Sequence, residues 1–582
     1  MTAAQDPLHV GDLLVGLLVA HGVDTIFGLP GGQTAALYDA IDRHEGTIRH
    51  VGVRDERSAA YAADAYARLT GRVGVCDATV GPGTAKLPSG LGEALNSSIP
   101  VLAIVSELPS STEARRYRGA TSQSMDQAGL LAPVTKWLAT VRRQEDLAPL
   151  VRRAFREATT GRPGPVALIL PQDVLDEAPR PPEPTTDEQA RRFGSFPAIR
   201  ALPDPVDVAR VADLLRGAQR PLVLLGGGAL ASGVAELVVP LAEAVGAAVA
   251  TTFSGKGSID EGHPLAVGVL STMGTSAAAG AAQEADLLLL VGSKAGSGTT
   301  LGWSLPRDDQ VAAQIDVDPA ELGRDFSVQA FVLADAREAL AALLEAVTDD
   351  AGAGRDTSAW RARVAELAHD WRSRRDGERT SDASPICPQR VMGELQHLLG
   401  PTDLVVADAS LASGWVGSYL EQSEVGRRVL FPRGLAGLGW AVPAALGAAV
   451  ARPNARVFAL VGDGALAYTV GELAALVQHR LDVTLIVLNN SSYGWIRWYR
   501  RIAFERGWED DDFAATDYAA VGHAYGFATE RVEKAGDLRG ALARVTADPR
   551  PGLVEVISSV WDTPVEGHRQ ALDGGTSADY GS

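Results

Sequence analysis

Two short polar motifs in the last third of the chain have the residue types of a cation–diphosphate site. Gly462-Asp463-Gly464 follows an apolar run, and Asn489-Asn490 comes 24 residues later, after a second apolar run. Glycine lets a backbone approach a phosphate closely, and a carboxylate oxygen is a ligand that Mg²⁺ or Ca²⁺ prefers. Either motif alone is more typical of a turn or a strand end. At this spacing, the pair predicts a divalent cation bound to a diphosphate group.

The elements around these motifs must bring them to one edge of a sheet. Residues 456–461 and 483–488 are predicted strands, and a helix is predicted over 470–479. Carboxyl ends of parallel strands lie at the same edge, so Asn490 should lie beside Asp463, with the amino end of the helix facing the diphosphate. We expect the side chains of Asp463 and Asn490 and the backbone carbonyl of Ser492 to be the protein ligands of Mg²⁺.

A second acidic residue, Glu56, has a ligand-facing position near the start of the chain. It follows the apolar-rich segment 48–53 and precedes a predicted helix, Ser58–Leu69, that ends at Gly71. A glutamate at the start of a helix is also explained by its favourable interaction with the helix dipole. These residues alone therefore favour the structural interpretation of Glu56.

The wider pattern resembles the thiamine diphosphate enzymes, and residues 462–494 resemble the acetolactate synthases. The resemblance covers nearly the whole chain and rests on motifs in a consistent order. These are Phe27–Gly32, Arg54–Glu56 with Ala62–Arg68, Gly81-Pro82-Gly83, Gln123–Trp137, Ile315–Pro319, Gly434–Gly447 and Gly462–Gly494.

The resemblance implies a role for each matching residue. Glu56 would hydrogen-bond a ring nitrogen of the aminopyrimidine and so activate the cofactor, and Gln123 would approach its reactive carbon. The Ala436 carbonyl would bind the exocyclic amine. Leu438, where many relatives have methionine, would be the apolar wedge that bends the cofactor, although an ordinary core leucine fits the sequence equally well. Further cofactor contacts are implied at Pro30, Ser410, Gly462 and Gly464.

The substrate side resembles the family less closely. Trp495, Ile496 and Tyr499 match the segment that lines the substrate pocket, but Trp495 stands where many relatives have methionine, and packing would explain it as well. The family's carboxylate-binding arginine is absent after predicted strand 287–291, and Lys294 is not a bidentate partner. The same change weakens the case for FAD. Gly226-Gly227-Gly228 could approach a nucleotide phosphate or form a turn, so FAD binding is left open.

The histidines indicate the type of reaction. Simple decarboxylases of this superfamily have a histidine pair in a first-domain loop. The corresponding loop here is Glu113-Ala114-Arg115-Arg116-Tyr117, and no histidine lies between His50 and His263. We therefore predict a lyase or transferase that decarboxylates a pyruvate-like 2-oxo acid and joins the acyl carbanion to a carbonyl acceptor. A flavin-linked 2-oxo-acid oxidase is the alternative. A non-catalytic homologue is a further alternative, which the intact Glu56, Asp463 and Asn490 disfavour.

The chain is too long for a single core, because single cores stop growing at about 250–300 residues. Linkers near 178–205 and 348–385, with apolar strands alternating with helices, predict an α/β protein of three doubly wound parallel-sheet domains. We assign a pyrimidine-binding domain to 1–178, a central domain to 205–347, a diphosphate-binding domain to 385–560 and a tail to 561–582.

The composition of the chain disfavours two classes of partner, nucleic acids and membranes. A net charge of −19 disfavours nucleic acid, and no apolar stretch reaches the length of a membrane span. The chain begins without a recognisable signal peptide, so a cytoplasmic enzyme is expected. Two cysteines form no disulfide framework, and Cys76 reads as a buried, inert thiol.

The resemblance also implies a homodimer or homotetramer in which Glu56 and Asp463 of one site come from different subunits. The glycine- and alanine-rich segments 88–96 and 436–450 would suit close packing either at that interface or within the chain's own core.

Overall fold

Three six-stranded sheets form the framework of the computed structural model, which describes residues 8–116, 119–180, 187–349, 356–504 and 511–565. The described strand pairings are parallel, and helices separate the strands along the chain. The predicted α/β class with three doubly wound parallel sheets is confirmed. Nearly continuous burial along the strands explains their apolar sequences, because both faces of a parallel sheet are covered.

The first sheet has the order β2-β1-β3-β4-β6-β5. Its strands are β1 Thr25–Gly28, β2 Arg49–Gly52, β3 Gly74–Ala78, β4 Val101–Glu107, β5 Trp137–Thr140 and β6 Val166–Pro171. The helices of this part of the chain are α1 Val10–Ala20, α2 Ala35–Arg43, α3 Glu56–Thr70, α4 Leu87–Ser97, α5 Gln127–Leu131, α6 Gln144–Thr159, α7 Gln172–Leu175 and α8 Asp187–Phe193.

The central sheet has the order β12-β11-β10-β7-β8-β9. Its strands are β7 Pro221–Leu225, β8 Ala248–Thr251, β9 Ala266–Val269, β10 Leu287–Val291, β11 Val311–Asp316 and β12 Ala330–Leu333. Its helices, with the long helix that follows, are α9 Pro205–Gly217, α10 Gly227–Ser232, α11 Ala235–Val245, α12 Ser276–Glu284, α13 Ala336–Asp349 and α14 Ser358–Glu378.

The third sheet has the order β14-β13-β15-β16-β18-β17. Its strands are β13 Leu404–Ala407, β14 Val429–Leu430, β15 Val457–Gly462, β16 Val483–Asn489, β17 Ala528–Val532 and β18 Gly552–Ile557. The helices are α15 Pro388–Leu398, α16 Leu411–Tyr419, α17 Ala441–Ala451, α18 Asp463–Thr469, α19 Leu473–Gln478, α20 Gly494–Phe504, α21 Tyr518–Tyr525 and α22 Leu538–Ala547.

By its internal contacts the chain divides into two units. The first unit comprises Met1–Ile199, Pro432–Asn454 and Thr469–Val483, so helices α17 and α19 belong to it. The second unit comprises Arg200–Phe431, Ala455–Tyr468 and Thr484–Ser582 and contains the central and third sheets. The predicted tail begins within its described part, and residues 566–582 lie outside the described residues.

One predicted helix is wrong in its bounds. The sequence predicts a helix over 470–479 after the Gly462-Asp463-Gly464 motif, but α18 begins at Asp463 itself, and a 3₁₀ turn at 470–472 precedes α19. Glycine disfavours helix and so reads as a turn, whereas an acidic residue in a first helical turn is stabilised by the helix dipole. The motif therefore lies on the start of the helix rather than on a loop before it.

Both predicted linkers contain regular structure. Helix α8 lies within 178–205, and the 21-residue helix α14 lies within 348–385. The prediction for Cys76 is confirmed, because it is fully buried in β3 and burial raises the pKa of its thiol. None of the helices within the described ranges combines the length and apolar composition that crossing a bilayer requires.

Candidate active site

Asp463 lies where β15 ends and α18 begins, and its side chain is only 3% exposed. Its Oδ1 accepts a hydrogen bond from the Gly464 N–H at 2.8 Å, and the N–H groups of residues 490–492 also face the carboxylate. Burial raises the pKa of Asp463 to about 6, and these N–H groups limit the rise. The structure therefore brings Asp463 together with Asn490 and Ser492, as the spacing predicts.

These residues fit a divalent cation. Asp463 Oδ2 is buried and accepts no hydrogen bond from the described residues. An oxygen in that state lacks a donor or a cation. Nearby, Asn490 Oδ1 accepts from the Ser492 N–H at 3.1 Å, so the side-chain amide oxygen is oriented by its own loop. One carboxylate with neutral oxygens and phosphate is a ligand set of the kind that Mg²⁺ accepts.

Aromatic residues from a later segment cover this motif. Tyr493 and Phe513 stack edge to face with ring centroids 4.5 Å apart. A Cβ atom at Gly464 would lie 2.8 Å from the Tyr493 ring and 3.1 Å from the Phe513 ring, so a larger residue would have to displace the Tyr493 ring. The Tyr518 hydroxyl donates to the Asp463 carbonyl at 3.1 Å. Sequence reasoning missed Phe513 and Tyr518, because their contacts depend on the path of the chain after α20.

Glu56 is the first residue of α3 and is 4% exposed. The preceding Asp55 caps the helix by accepting from the Arg57 N–H at 2.9 Å. Lys86 places its Nζ 3.2 Å from Glu56 Oε2 and 3.4 Å from Asp55 Oδ2. Although partial burial lowers it, the pKa of Lys86 is raised overall by these two carboxylates. Sequence analysis missed Lys86, which lies three residues after the matched Gly81-Pro82-Gly83 motif.

A buried polar network lies in the same unit. Asp77 in β3 accepts hydrogen bonds from the Tyr38 hydroxyl at 2.8 Å and from His50 Nε2 at 2.9 Å. Burial, followed by the negative charges of Asp77 and Glu56, raises the pKa of Tyr38. The signal for this network is visible in the sequence, because Asp77 is a charged residue within the apolar run that contains Cys76.

Three predicted cofactor residues have strained backbones. Gln123, Ser410 and Ala436 have φ values of +64°, +65° and +54°, in the left-handed region that disfavours non-glycine residues. Such conformations cost about 1–3 kcal/mol each and cluster at functional sites. Gln123, Ala436 and Pro30 are exposed, so a ligand can reach them.

The predicted wedge, Leu438, is half-buried rather than part of the core. This exposure leaves its side chain available to a ligand and disfavours the reading as an ordinary core leucine. On α20, Ile496 is 46% and Tyr499 50% exposed, whereas Trp495 packs against the hydrophobic core of the second unit. The packing interpretation of Trp495 is therefore supported, and Ile496 and Tyr499 are the more accessible pocket candidates.

Small residues in α4 and α17 pack within the first unit. Gly447 in α17 lies against the backbone of Ala62 in α3, and Gly90 in α4 lies against Ala60, which is also in α3. Residues Ala441–Val450 are buried within the single chain. The core alternative thus explains these contacts, and the role of the two segments at a subunit interface stays a prediction.

The glycine triplet of the central domain has a packing role. Gly226 N–H donates to the Val291 carbonyl at 2.8 Å, and Gly228 N–H donates to the Gly292 carbonyl at 3.0 Å. A Cβ atom at Gly226 would collide with Gly292. Two loops at the ends of β7 and β10 can approach this closely only if they lack side chains. The triplet therefore needs no nucleotide to explain it.

Three family models match the chain in order. The thiamine pyrophosphate enzyme N-terminal TPP binding domain matches residues 8–130, the central domain matches 208–343, and the C-terminal TPP binding domain matches 408–556. Thiamine pyrophosphate (TPP) is thiamine diphosphate. The Glu56 segment thus falls in the first model and the Asp463 motif in the last.

Curated relatives match along nearly the whole chain. A probable acetolactate synthase large subunit of Methanocaldococcus jannaschii is 31% identical over 94% of this chain and 91% of the relative. The acetolactate synthase large subunit of Parasynechococcus marenigrum is 33% identical, over 93% and 86%. That of Corynebacterium glutamicum is 31% identical, over 96% and 89%. The chain therefore belongs to the thiamine pyrophosphate-dependent enzymes of the acetolactate synthase type.

Proposed function

We propose that this enzyme decarboxylates a pyruvate-like 2-oxo acid and joins the acyl group to a second carbonyl compound, using thiamine diphosphate and Mg²⁺. The observation that carries the proposal is the buried, unpartnered oxygen of Asp463 beside residues 490–492, within the segment that matches a TPP binding domain. When bound, the cofactor would supply an acidic carbon whose deprotonated form is a nucleophile toward the substrate carbonyl.

Each predicted site residue has a separate role in this proposal. Asp463, Asn490 and the Ser492 carbonyl hold the cation, and Gly462 and Gly464 let the backbone approach the diphosphate. Glu56 holds the aminopyrimidine and shares a proton with it. The remaining proposed cofactor contacts are Ala436, Leu438, Pro30 and Ser410. Gln123 faces the reacting carbon, while Ile496, Tyr499 and the more buried Trp495 border the substrate.

Carboligation is favoured over aldehyde release because a general acid of histidine type is missing from the loop after β4. The described residues of that loop, 113–116, contain two arginines, and Arg116 Nη1 lies 3.4 Å from Glu107 and so is engaged in an ion pair. Tyr117, the last residue of the predicted loop, lies outside the described residues. An arginine keeps its proton, so protonation of a product by this loop is disfavoured.

The flavin-linked oxidase receives no specific support. It would need a flavin site, and the glycine triplet that suggested a nucleotide phosphate is used in packing between two loops. The domain limits 1–178, 205–347, 385–560 and 561–582 and a cytoplasmic location stay predictions.

The proposed reaction predicts that carbon dioxide and a longer carbon chain form together. Purified protein supplied with thiamine diphosphate and Mg²⁺ would be given a panel of 2-oxo acids, alone and in pairs. Carbon dioxide would be followed continuously, and products would be identified by mass spectrometry with ¹³C-labelled donor. We expect one label-bearing hydroxyketone or acetohydroxy acid for each carbon dioxide released.

The alternatives give different outcomes in the same assay. Aldehyde as the main product would contradict carboligation. A bound yellow chromophore with consumption of an electron acceptor would indicate the oxidase. Cofactor binding without turnover of any 2-oxo acid would indicate the non-catalytic homologue.

We further propose an oligomer, a homodimer or homotetramer, in which each site takes Glu56 from one subunit and Asp463 from another. Inactive Glu56→Gln protein and inactive Asp463→Ala protein would be mixed, dissociated and reassembled. If sites are shared, each mixed dimer has one doubly defective site and one intact site. Random assembly makes half the dimers mixed, so about a quarter of wild-type activity should return.

The activity must be measured on mixed dimers that are known to have formed. Mixed dimers would be isolated with two different affinity tags, and each parent reassembled alone serves as the control. Isolated mixed dimers without activity, or a fully active monomer in sedimentation, would contradict the shared site.

A further inference from the structure

Glu93, in the middle of α4, is 1% exposed and accepts hydrogen bonds from three successive backbone N–H groups. Its Oε1 accepts from Gly434 at 2.8 Å, and its Oε2 accepts from Leu435 at 2.8 Å and from Ala436 at 3.0 Å. All four residues belong to the first unit. Hydrogen bonds to an ionised acceptor are roughly twice as strong as neutral ones. One buried carboxylate thus fixes the backbone of a loop distant in sequence.

The loop fixed in this way is the one that holds two proposed cofactor contacts. Ala436 has a φ of +54°, and Gly439, three residues on, has a φ of +83°. Because left-handed conformations of non-glycine residues are costly, they persist only where the surroundings impose them. The hydrogen bond from the Ala436 N–H to Glu93 is such a constraint. It acts on the residue whose carbonyl is proposed to bind the cofactor and lies two residues before Leu438.

The charge of Glu93 is balanced from both sides. Arg68 in α3 approaches Glu93 Oε1 with Nη2 at 3.3 Å and Asp64 Oδ2 with Nε at 2.9 Å. The Ser97 hydroxyl adds a hydrogen bond to Oε1 at 2.8 Å. One guanidinium therefore serves two buried carboxylates, and burial raises the pKa of Asp64 to about 6. The three loop N–H groups supply the remaining stabilisation that a buried carboxylate needs.

We propose that Glu93 is a positioning residue for the cofactor: it holds loop 434–438 so that the Ala436 carbonyl and the Leu438 side chain meet the aminopyrimidine. This inference rests on the proposed function and extends it to a residue that does not touch the cofactor. A purely structural role would be the ion pair with Arg68, which binds α3 to α4. The two roles differ in which change disturbs the loop.

The test uses Glu93→Gln in the full chain. The substituted amide keeps the size of the side chain but turns one acceptor oxygen into a donor, so at least one loop N–H loses its acceptor. In the cofactor-free protein, hydrogen exchange of a peptide spanning 430–440 would be followed by mass spectrometry. We expect the amides of 434–436 to exchange about 10-fold faster or more, since loss of a charge-assisted bond increases local opening. Titration calorimetry in Mg²⁺ buffer should show thiamine diphosphate binding weakened about 10-fold or more.

Two matched variants separate the loop from the ion pair. Ser97→Ala removes a hydrogen bond that Glu93 Oε1 accepts from its own helix, and Asp64→Asn changes the other partner of Arg68. Both should leave the exchange of 434–436 and the Kd for the cofactor within about 2-fold of wild type. If Glu93→Gln does not fold, Glu93→Asp keeps the charge but withdraws the carboxylate from the loop, and the same two changes are expected.

Three results would overturn the inference. The first is unchanged exchange of 434–436 in Glu93→Gln. The second is faster exchange with an unchanged Kd for thiamine diphosphate. The third is an Asp64→Asn variant that weakens thiamine diphosphate binding as much as Glu93→Gln does, which would assign the effect to the ion pair. Wild-type protein that binds no thiamine diphosphate would instead contradict the proposed function, and the exchange measurement would still report on the loop.

Discussion

Asp463→Ala is expected to weaken thiamine diphosphate binding in Mg²⁺ buffer on the order of 100-fold or more, with the fold intact. Asp463 is the only anionic protein ligand in the proposed set, and the cation is the largest local charge in such a site. Without the carboxylate, the cation must be held by neutral oxygens and the diphosphate alone. Titration calorimetry at fixed Mg²⁺ measures the loss directly.

Although Asp463→Ala should weaken cofactor binding, it should not lower the stability of the metal-free protein. The pKa of Asp463 is raised in the folded state from 3.8 to about 6, so the folded chain binds this proton more tightly than the unfolded chain does. Stability from this group is therefore present below its unfolded pKa and is lost as pH rises through about 6. At pH 8 the buried, ionised side chain destabilises the folded state. In the presence of a chelator, Asp463→Ala should therefore melt at the wild-type temperature or higher.

A control in the same sheet tests whether the effect is local. Asp403 precedes β13 at the amino end of the third sheet, is buried, and pairs with Arg456. Asp403→Ala should lower thermal stability through the lost ion pair and leave cofactor affinity unchanged. Normal affinity of Asp463→Ala, or an equal loss in Asp403→Ala, would contradict the proposed cation site.

Glu56→Gln is expected to bind the cofactor and to slow exchange of its C2 proton on the order of 100-fold or more. Glutamine matches the size of Glu56 and can hydrogen-bond the aminopyrimidine, but it cannot share a proton with it. Exchange would be measured by transfer of the complex into D₂O, quenching with acid and proton NMR of the released cofactor. Because this step precedes any reaction with substrate, the measurement does not depend on knowing the 2-oxo acid.

Glu472→Gln is the matched control for this experiment. Glu472 is also buried in the first unit, where it accepts two hydrogen bonds of 3.1 Å from the Arg54 N–H, and burial raises its pKa to about 7. A group with that pKa is partly protonated near neutral pH, so glutamine is a close substitute. Glu472→Gln should exchange at nearly the wild-type rate, and a wild-type rate in Glu56→Gln would remove Glu56 from the activating role.

The sequence by itself determined the parts of this protein that depend on local patterns. The strand Leu287–Val291 matches its predicted limits, because a short apolar run between polar turns has few alternatives to a buried strand. Helix α3 ends at Gly71 with a φ of +67°, as its glycine indicates. Asp463, Asn490 and Ser492 come together because each follows a strand and the two strands belong to one sheet.

Only the tertiary structure decided which side chains complete the site. Lys86 beside Glu56, the Tyr38–His50–Asp77 network and Glu93 beneath loop 434–436 join residues from 12 to 343 positions apart. No periodicity in the sequence relates such residues, since their distance is set by how the helices and loops pack. The same is true of Gly447 and Gly226, whose small size is explained by the backbones they face. The sequence shows that a residue is charged or small, and packing decides what it meets.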